Sequence, residues 1–471
     1  MLFNSFNFWI VFPIIFSLYW IIPYKYDKIK KIFLIIISYL LYMNWKPSFA
    51  LVLFAITIVT YIGALTIEKL NAYGNKKYII SFFVIISFLP LLTFKYYNFL
   101  NSSIHNLLSS IGLNWELPGL NWAIPIGISF FSFQAIGYLW DVYYKKINAE
   151  KCLIDYILFV SFFPQITSGP ISKASELLPQ IKKLSRFSYS MSTEGLKYLL
   201  WGMFLKVVVA DRLGIYVDTI YGNYTHYSGI TCLIASIFYS IQIYCDFAGY
   251  SLMAIGISKA LGFNLINNFN RPYFSISVTD FWRRWHISLS RWLKDYIYIP
   301  LGGSRCSKAR NYWNIFITFL VSGIWHGANW TFIVWGIFHG VAQIIEKILN
   351  LQKCNSKKLH IRIARIVVTF IIVNFAWIFF RMPTIKDAFN IISRMVSEFF
   401  GPIYTSSNSN LVLYILGISI LLFKETKDEF FKSKLTILKN KYIKWTIYIF
   451  LFVLILSVGV LDSGQFIYVS F

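Results

Sequence analysis

The stretch "FLVSGIWHGANW", Phe319 to Trp330, decides what kind of fold this chain has. It lies in an apolar run with no acid and no base for many residues on either side, yet His326 stands in its middle. A soluble core rarely carries so long a run of such composition. A membrane does, and in a membrane an ionisable ring marks function by default, because burying it in lipid is costly.

Working outward, 57% of the 471 residues are hydrophobic, 14% are charged, and the mean hydropathy is +0.59. Soluble domains carry about 25% charged residues. Phe3 to Pro23, Tyr78 to Phe94, Thr231 to Cys245 with its flanks, Ile315 to Val334 and Trp445 to Val460 approach the ~20 apolar residues that cross a bilayer as a helix. Backbone in lipid must satisfy its own hydrogen bonds, and these runs lack the alternation of barrel strands. The expectation is an all-α, polytopic transmembrane helix bundle of about ten to twelve spans with re-entrant or interfacial helices.

A net charge of +24, from 44 Lys and Arg against 20 Asp and Glu, raises nucleic acid as a ligand. The bases cluster instead in short loops, at Lys25 to Lys31, Lys173 to Arg186, Arg305 to Arg310, Lys347 to Arg365 and Lys424 to Lys444. This is positive-inside patterning, with membrane lipid and not nucleic acid as the partner. The uncharged first segment, followed at once by lysines, predicts an outside amino terminus and a retained span rather than a removed signal peptide. Five scattered cysteines, Cys152, Cys232, Cys245, Cys306 and Cys354, show neither a disulfide framework nor metal-ligand spacing. No metal and no bound cofactor are expected.

No polar stretch is long enough for a soluble domain, so residues 1–471 read as one membrane domain. Its parts are amino-terminal spans at 1–120, a catalytic core at 121–345 and carboxy-terminal spans at 346–471. "AIPIGISFF" (Ala123 to Phe131) and "FFPQITSGPIS" (Phe162 to Ser172) read as broken helices, tolerated at depth where buried or wet. From Tyr273 to Leu301, helical spacing places Trp282, Trp285, Leu289, Trp292 and Leu293 on one face, with Arg284 and Arg291 elsewhere. That pattern fits a helix lying in the interface or against the bundle.

The chain has no H-E-x-x-H, no Walker A loop and no G-x-S-x-G, so any catalysis comes from dispersed polar groups. Of six histidines, His105, His226 and His360 fall in polar or basic loops. His339 follows His326 by thirteen residues, about 20 Å on one continuous helix, so the two are expected to stay apart. His326 and His286 remain. Ser322, Gly323, Gly327 and Ala328 permit close approach to His326, and Asn329 and Trp330 could supply donors to the same pocket. A neutral imidazole is suited to taking a proton from a hydroxyl that attacks an acyl carbon, with Asn329, an arginine or a backbone amide facing the oxyanion. "TDFWRRWHISLSRWLKDYIYIPLGGSR", Thr279 to Arg305, adds Arg283 and Arg284 as candidate phosphate binders and Asp280 and Asp295 as ion partners. An interfacial anchor with snorkelling arginines accounts for the same residues.

This stretch and "SGIWHGANWTFIVWGIFHG" (Ser322 to Gly340) closely resemble the membrane-bound O-acyltransferase superfamily. More narrowly, they resemble its bacterial branch of alginate and peptidoglycan O-acetyltransferase membrane subunits. "PIGISFFSFQAIGYLWDVYYKK", "FFPQITSGPIS", "YCDFAGYSLMAIGISKALGFNLINNFNRPY", "AWIFFRM" and the terminal "GQFIYVSF" extend the likeness over most of the chain from Pro125 onward. The resemblance implies a central funnel or tunnel joining the two membrane faces. It implies a catalytic His326 and a second functional His286; beside them Arg283, Arg284, Trp285, Trp325, Asn329 and Asp295 are the candidate substrate or donor contacts. The implied donor is acetyl-CoA, a substrate rather than a bound cofactor. The implied acceptor is a polysaccharide hydroxyl beyond the bacterial cytoplasmic (inner) membrane, reached with an extracytoplasmic acetyltransferase or carrier partner protein. The related teichoic-acid branch implies an alternative, D-alanyl transfer from a carrier-protein thioester. The length and "YIPLGGSR" favour the acetyl branch. From a different class, a transporter or flippase of a lipid-linked sugar would use the same arginines and broken helices, but the inverted repeats it calls for are not visible.

Overall fold

In the computed structural model, the described residues are 3–70, 76–113, 117–353, 358–431, 440–461 and 467. Cys354 and all of "GQFIYVSF" except Ile467 lie outside them. Among the described residues the chain is helical throughout, with no strand. Seven helices are long and apolar enough to cross a membrane, or eight if the pair Phe6–Ile21 and Tyr24–Met43, bent by 105°, counts as one more. That is fewer than the ten to twelve expected. The remaining helices that build the bundle, including Tyr189–Met203 and Lys308–His326, are too polar or too short to pass on those grounds.

The 32-residue helix Gly229–Ala260 is the axis, and two thirds of its apolar window is buried inside the protein. Its small residues explain that position. A Cβ on Gly249 would sit 2.7 Å from the Gly202 carbonyl, and one on Gly256 2.6 Å from that of Gly195, so only glycine lets Tyr189–Met203 pack this closely. By contrast Lys76–Ser110 and Lys441–Val458 bury 17% and stand at the periphery, although they are the more apolar helices.

The two proline- and glycine-rich stretches meet each other. Gly127 begins the helix Ile128–Tyr143 in the left-handed region, at φ 76°, with the Ile166 carbonyl where a Cβ would be. Irregular backbone from both stretches is thus buried in protein, as required at depth. Hydrogen bonds cross both internal boundaries drawn from the sequence: Tyr42 OH to the Ile126 carbonyl and Trp20 Nε1 to that of Ala260 across the first, and Arg284 to Glu429 across the second.

Two expected elements are broken. The run Ile315 to Val334 is not one span. Lys308–His326 ends at Gly327, and Trp330–Ile348 starts afresh, with the Asn329 side chain accepting from the Thr331 N–H. The helix predicted through Trp282 to Leu293 is also two pieces, Val278–Arg284 and Ile287–Leu293, separated by Trp285 and His286. All five of its expected apolar-face residues are nevertheless buried.

Contacts gather the basic clusters at one end of the bundle. Ser185 reaches the Gly262 carbonyl, Arg291 pairs with Glu176, Lys347 reaches Asn311, and Arg271, Arg284 and Arg362 converge on Glu429. The clusters are not uniformly solvated. Lys30 is buried, its ammonium 4.6 Å and 4.5 Å over the rings of Tyr19 and Trp20, and Lys31 pairs with Asp155 at 2.9 Å. The opposite end carries the Gly327–Asn329 turn, where Trp330 meets Phe99 and Asn329 donates to the Pro383 carbonyl.

Candidate active site

The break at Gly327 folds the Trp330 helix back along the His326 helix. Their crossing is set by Gly323 and Gly336, where a Cβ on either would fall about 3 Å from the other's Cα. Gly327 has no space for a side chain either, because the Phe332 ring occupies it. His326 therefore ends its helix wrapped in aromatic rings: Trp335 at 4.9 Å, Trp325 at 5.0 Å and Phe380 at 5.2 Å, all close to edge-on. It is 2% exposed.

The fold-back also brings in His339, which the continuous-helix distance had set apart. Trp335 stands 4.9 Å from both imidazoles, and His339 Nδ1 accepts from Trp282 Nε1 at 3.3 Å. The signal that would have revealed this is the Gly-Ala-Asn sequence after His326, a helix stop followed by an N-cap. His286 approaches from the other side. It adopts φ 42° and ψ 56°, a left-handed conformation that L residues enter at a cost. Asn268 clamps the backbone just beyond it, its carbonyl accepting from Ile287 N–H at 2.9 Å and its Oδ1 from Ser288 N–H at 3.1 Å. The His286 ring packs on Phe247 at 4.6 Å and Trp325 at 5.9 Å. Trp325 thus separates His286 from His326, and Trp335 separates His326 from His339.

A cavity of about 500 Å³ opens at the basic end. Arg283, Arg291, Lys294 and Lys347 line it, and it runs in as far as Trp282 and Phe319. Phe319 lies seven residues before His326, about 10 Å along the helix. The tunnel expected from the sequence is interrupted here by rings: Trp282 contacts Trp335 at 5.6 Å, and Trp335 contacts His326.

The other candidate residues divide by what holds them. Arg283 is exposed in the cavity. Arg284 is engaged by Asp280 and Glu429, both at 3.1 Å. Asp295 is paired with Lys173. Trp285 is fully buried, stacked on Phe281 and against Trp377. Asn329 spends its amide on the Pro383 carbonyl and its oxygen on the helix cap, so one of the three groups expected to face an oxyanion is already committed at the end of the bundle. His226 and His360 are exposed and His105 is half-buried. Lys95 and Tyr96, which the sequence reading passed over, reach the end of the His326 helix.

Residues 151–386 match the model of the membrane-bound O-acyltransferase family. "Probable alginate O-acetylase AlgI" of Pseudomonas aeruginosa is 34% identical over 90% of this chain and 80% of its own length. "Peptidoglycan O-acetyltransferase" of Helicobacter pylori is 35% identical over 79% of this chain and 75% of its own. "Teichoic acid D-alanyltransferase" of Bacillus subtilis is 28% identical over 59% of this chain. With a family model spanning half the chain and relatives spanning most of it, this multi-pass membrane protein is an O-acyltransferase and belongs to the membrane-bound O-acyltransferase family.

Proposed function

We propose that the protein moves an acetyl group from acetyl-CoA, taken up on the cytoplasmic side of the bacterial inner membrane, to a hydroxyl of a polysaccharide on the other side. The observation that carries this reading is the basic cavity that climbs to the ring layer around His326. Its four cations suit the phosphates of a nucleotide-bearing thioester, and its apolar inner wall suits the acyl arm. The alginate and peptidoglycan O-acetylases supply the acceptor class, a polysaccharide hydroxyl. The described residues form a helical membrane bundle, and an extracytoplasmic partner protein presents the glycan to it. A D-alanyl donor is the second reading, but the teichoic-acid relatives cover less of the chain and at lower identity.

In this mechanism the imidazole of His326 takes the acceptor's hydroxyl proton as the oxygen bonds to the thioester carbonyl carbon. The resulting oxyanion reforms the carbonyl, the carbon–sulfur bond breaks, and the leaving thiolate takes the proton back from the imidazolium. Trp282 and Trp335 must part for the thioester to arrive, which keeps water from the acyl group until the arm is seated. His286, across Trp325, orients the acceptor side.

The test is direct. Purified protein given labelled acetyl-CoA and polysaccharide should move label off CoA and onto glycan hydroxyls. His326→Ala should lower kcat by about 10³-fold or more while the protein still inserts and melts like the parent. Parent-level activity in that variant would refute the assignment of His326 as the base.

A further inference from the structure

Lys95 is a lysine in the interior of the bundle, 7% exposed, on the 35-residue helix Lys76–Ser110. Its ammonium donates to the carbonyls of Trp325 at 2.7 Å and His326 at 3.1 Å and to Ser129 Oγ at 3.3 Å, all uncharged acceptors. The next residue, Tyr96, donates its hydroxyl to the Ile324 carbonyl at 2.7 Å. Two consecutive side chains thus hold the last three carbonyls of the helix that ends in His326. On a regular α-helix neighbouring residues point about 100° apart and do not share one partner. Here both reach the same helix end, and they lie in Leu92–Tyr96, a π-helical turn, a local widening of the kind found at functional sites.

The energetics argue against simple packing. Burying an ammonium away from water costs several kcal/mol unless strong partners offset it, and an apolar side chain would fill the same space without that cost. What a cation adds is attraction to the negative end of a helix macrodipole, together with a fixed direction for the carbonyls it binds. The helix end it fixes is the one whose final side chain is His326. The ammonium also lies 5.8 Å from the centre of the Trp325 ring, the ring between His326 and His286.

We propose that Lys95, assisted by Tyr96, is a positioning residue for acyl transfer: it locks the terminal turn of the His326 helix and so sets where the imidazole stands. The inference rests on His326 being the base of the proposed reaction. It places no demand on the donor cavity, since Lys95 does not line it.

The experiment uses the full chain in lipid nanodiscs with Lys95→Met, Lys95→Arg and Tyr96→Phe. With labelled acetyl-CoA, Lys95→Met should lower kcat about ten-fold or more while KM for acetyl-CoA stays within about two-fold of the parent. Lys95→Arg should recover part of kcat, and Tyr96→Phe should fall between parent and Lys95→Met. In parallel, hydrogen exchange followed by mass spectrometry should rise in Lys95→Met over the last turn of the His326 helix and not in Gly229–Ala260. Undiminished kcat in Lys95→Met overturns the proposal. So does a loss of kcat, donor affinity and melting temperature together, which would make the lysine a general structural element. Unchanged exchange at the helix end overturns it as well, and that arm stands even if the parent transfers no acetyl group, an outcome that would instead strike the proposed function.

Discussion

Arg283 and Arg284 are neighbours in the chain with opposite commitments. Arg283 faces the cavity, whereas Arg284 shares Glu429 with Arg271 and Arg362, which approach at 2.7 Å and 2.6 Å. Replacing each by alanine should therefore separate two effects. Arg283→Ala should raise KM for acetyl-CoA about three- to ten-fold with an unchanged melting temperature, because a charge-assisted contact to phosphate is lost from a wet site. Arg284→Ala should leave KM near the parent value and lower stability by about 1 kcal/mol, a modest loss because Glu429 keeps two arginines. Paired titrations of donor and thermal melts on the two variants decide this, and equal KM increases would show that both arginines face the donor. Sequence could name the two residues but not tell them apart. The partner that distinguishes them, Glu429, lies 145 positions away from Arg284.

At the scale of elements, the site depends on one helix-to-helix crossing. A Cβ on Gly336 would come within 2.5 Å of the Phe319 carbonyl and 3.0 Å of Gly323 Cα, contacts with backbone that cannot swing aside. Gly336→Ala should therefore push the two helices apart, lower stability by about 1–3 kcal/mol and cut activity, since Trp335 would move off His326. Gly222→Ala, where nothing lies within 4 Å of a Cβ, should change stability by no more than about 0.5 kcal/mol. Thermal unfolding of both in one detergent makes the comparison, and equal losses would remove the crossing from the explanation. This level was half legible. The glycines around His326 signalled close approach, but hydropathy runs on unbroken through Gly327 and Ala328, so a count of apolar residues reads one span where backbone hydrogen bonding shows two helices. The Trp282 to Leu293 segment failed the same way. Its apolar positions are all buried, yet the left-handed turn at His286 is dictated by what packs around it, Asn268 above all, and leaves no mark on periodicity.

Across the whole molecule, the basic clusters collect at one end, and under the proposed orientation that end faces the cytoplasm. The native cysteines can report it. Cys152 and Cys306 are exposed, Cys152 near the Glu150–Lys182 pair and Cys306 beside Asn314, whereas Cys232 and Cys245 are buried. A membrane-impermeant maleimide should label Cys152 and Cys306 in inverted vesicles and spare them in intact spheroplasts. Labelling of either from outside would reverse the orientation and with it the side from which the thioester enters.

What the sequence by itself determined is the solvent and the kind of fold. Length of apolar runs, scarcity of charge and the placement of lysines and arginines are local properties, and each points to a helical membrane bundle whatever its packing. The motifs around His286 and His326 likewise carried the family, because their spacing is written along the chain. Only the tertiary structure decided which helices are central, since small residues matched across a contact, and not hydropathy, bring Gly229–Ala260 to the axis. It alone joined Lys95 to a helix end 230 residues away, placed His339 beside Trp335, and divided the arginines between cavity and ion pair. These are choices of partner, and a partner is set by where distant backbones meet.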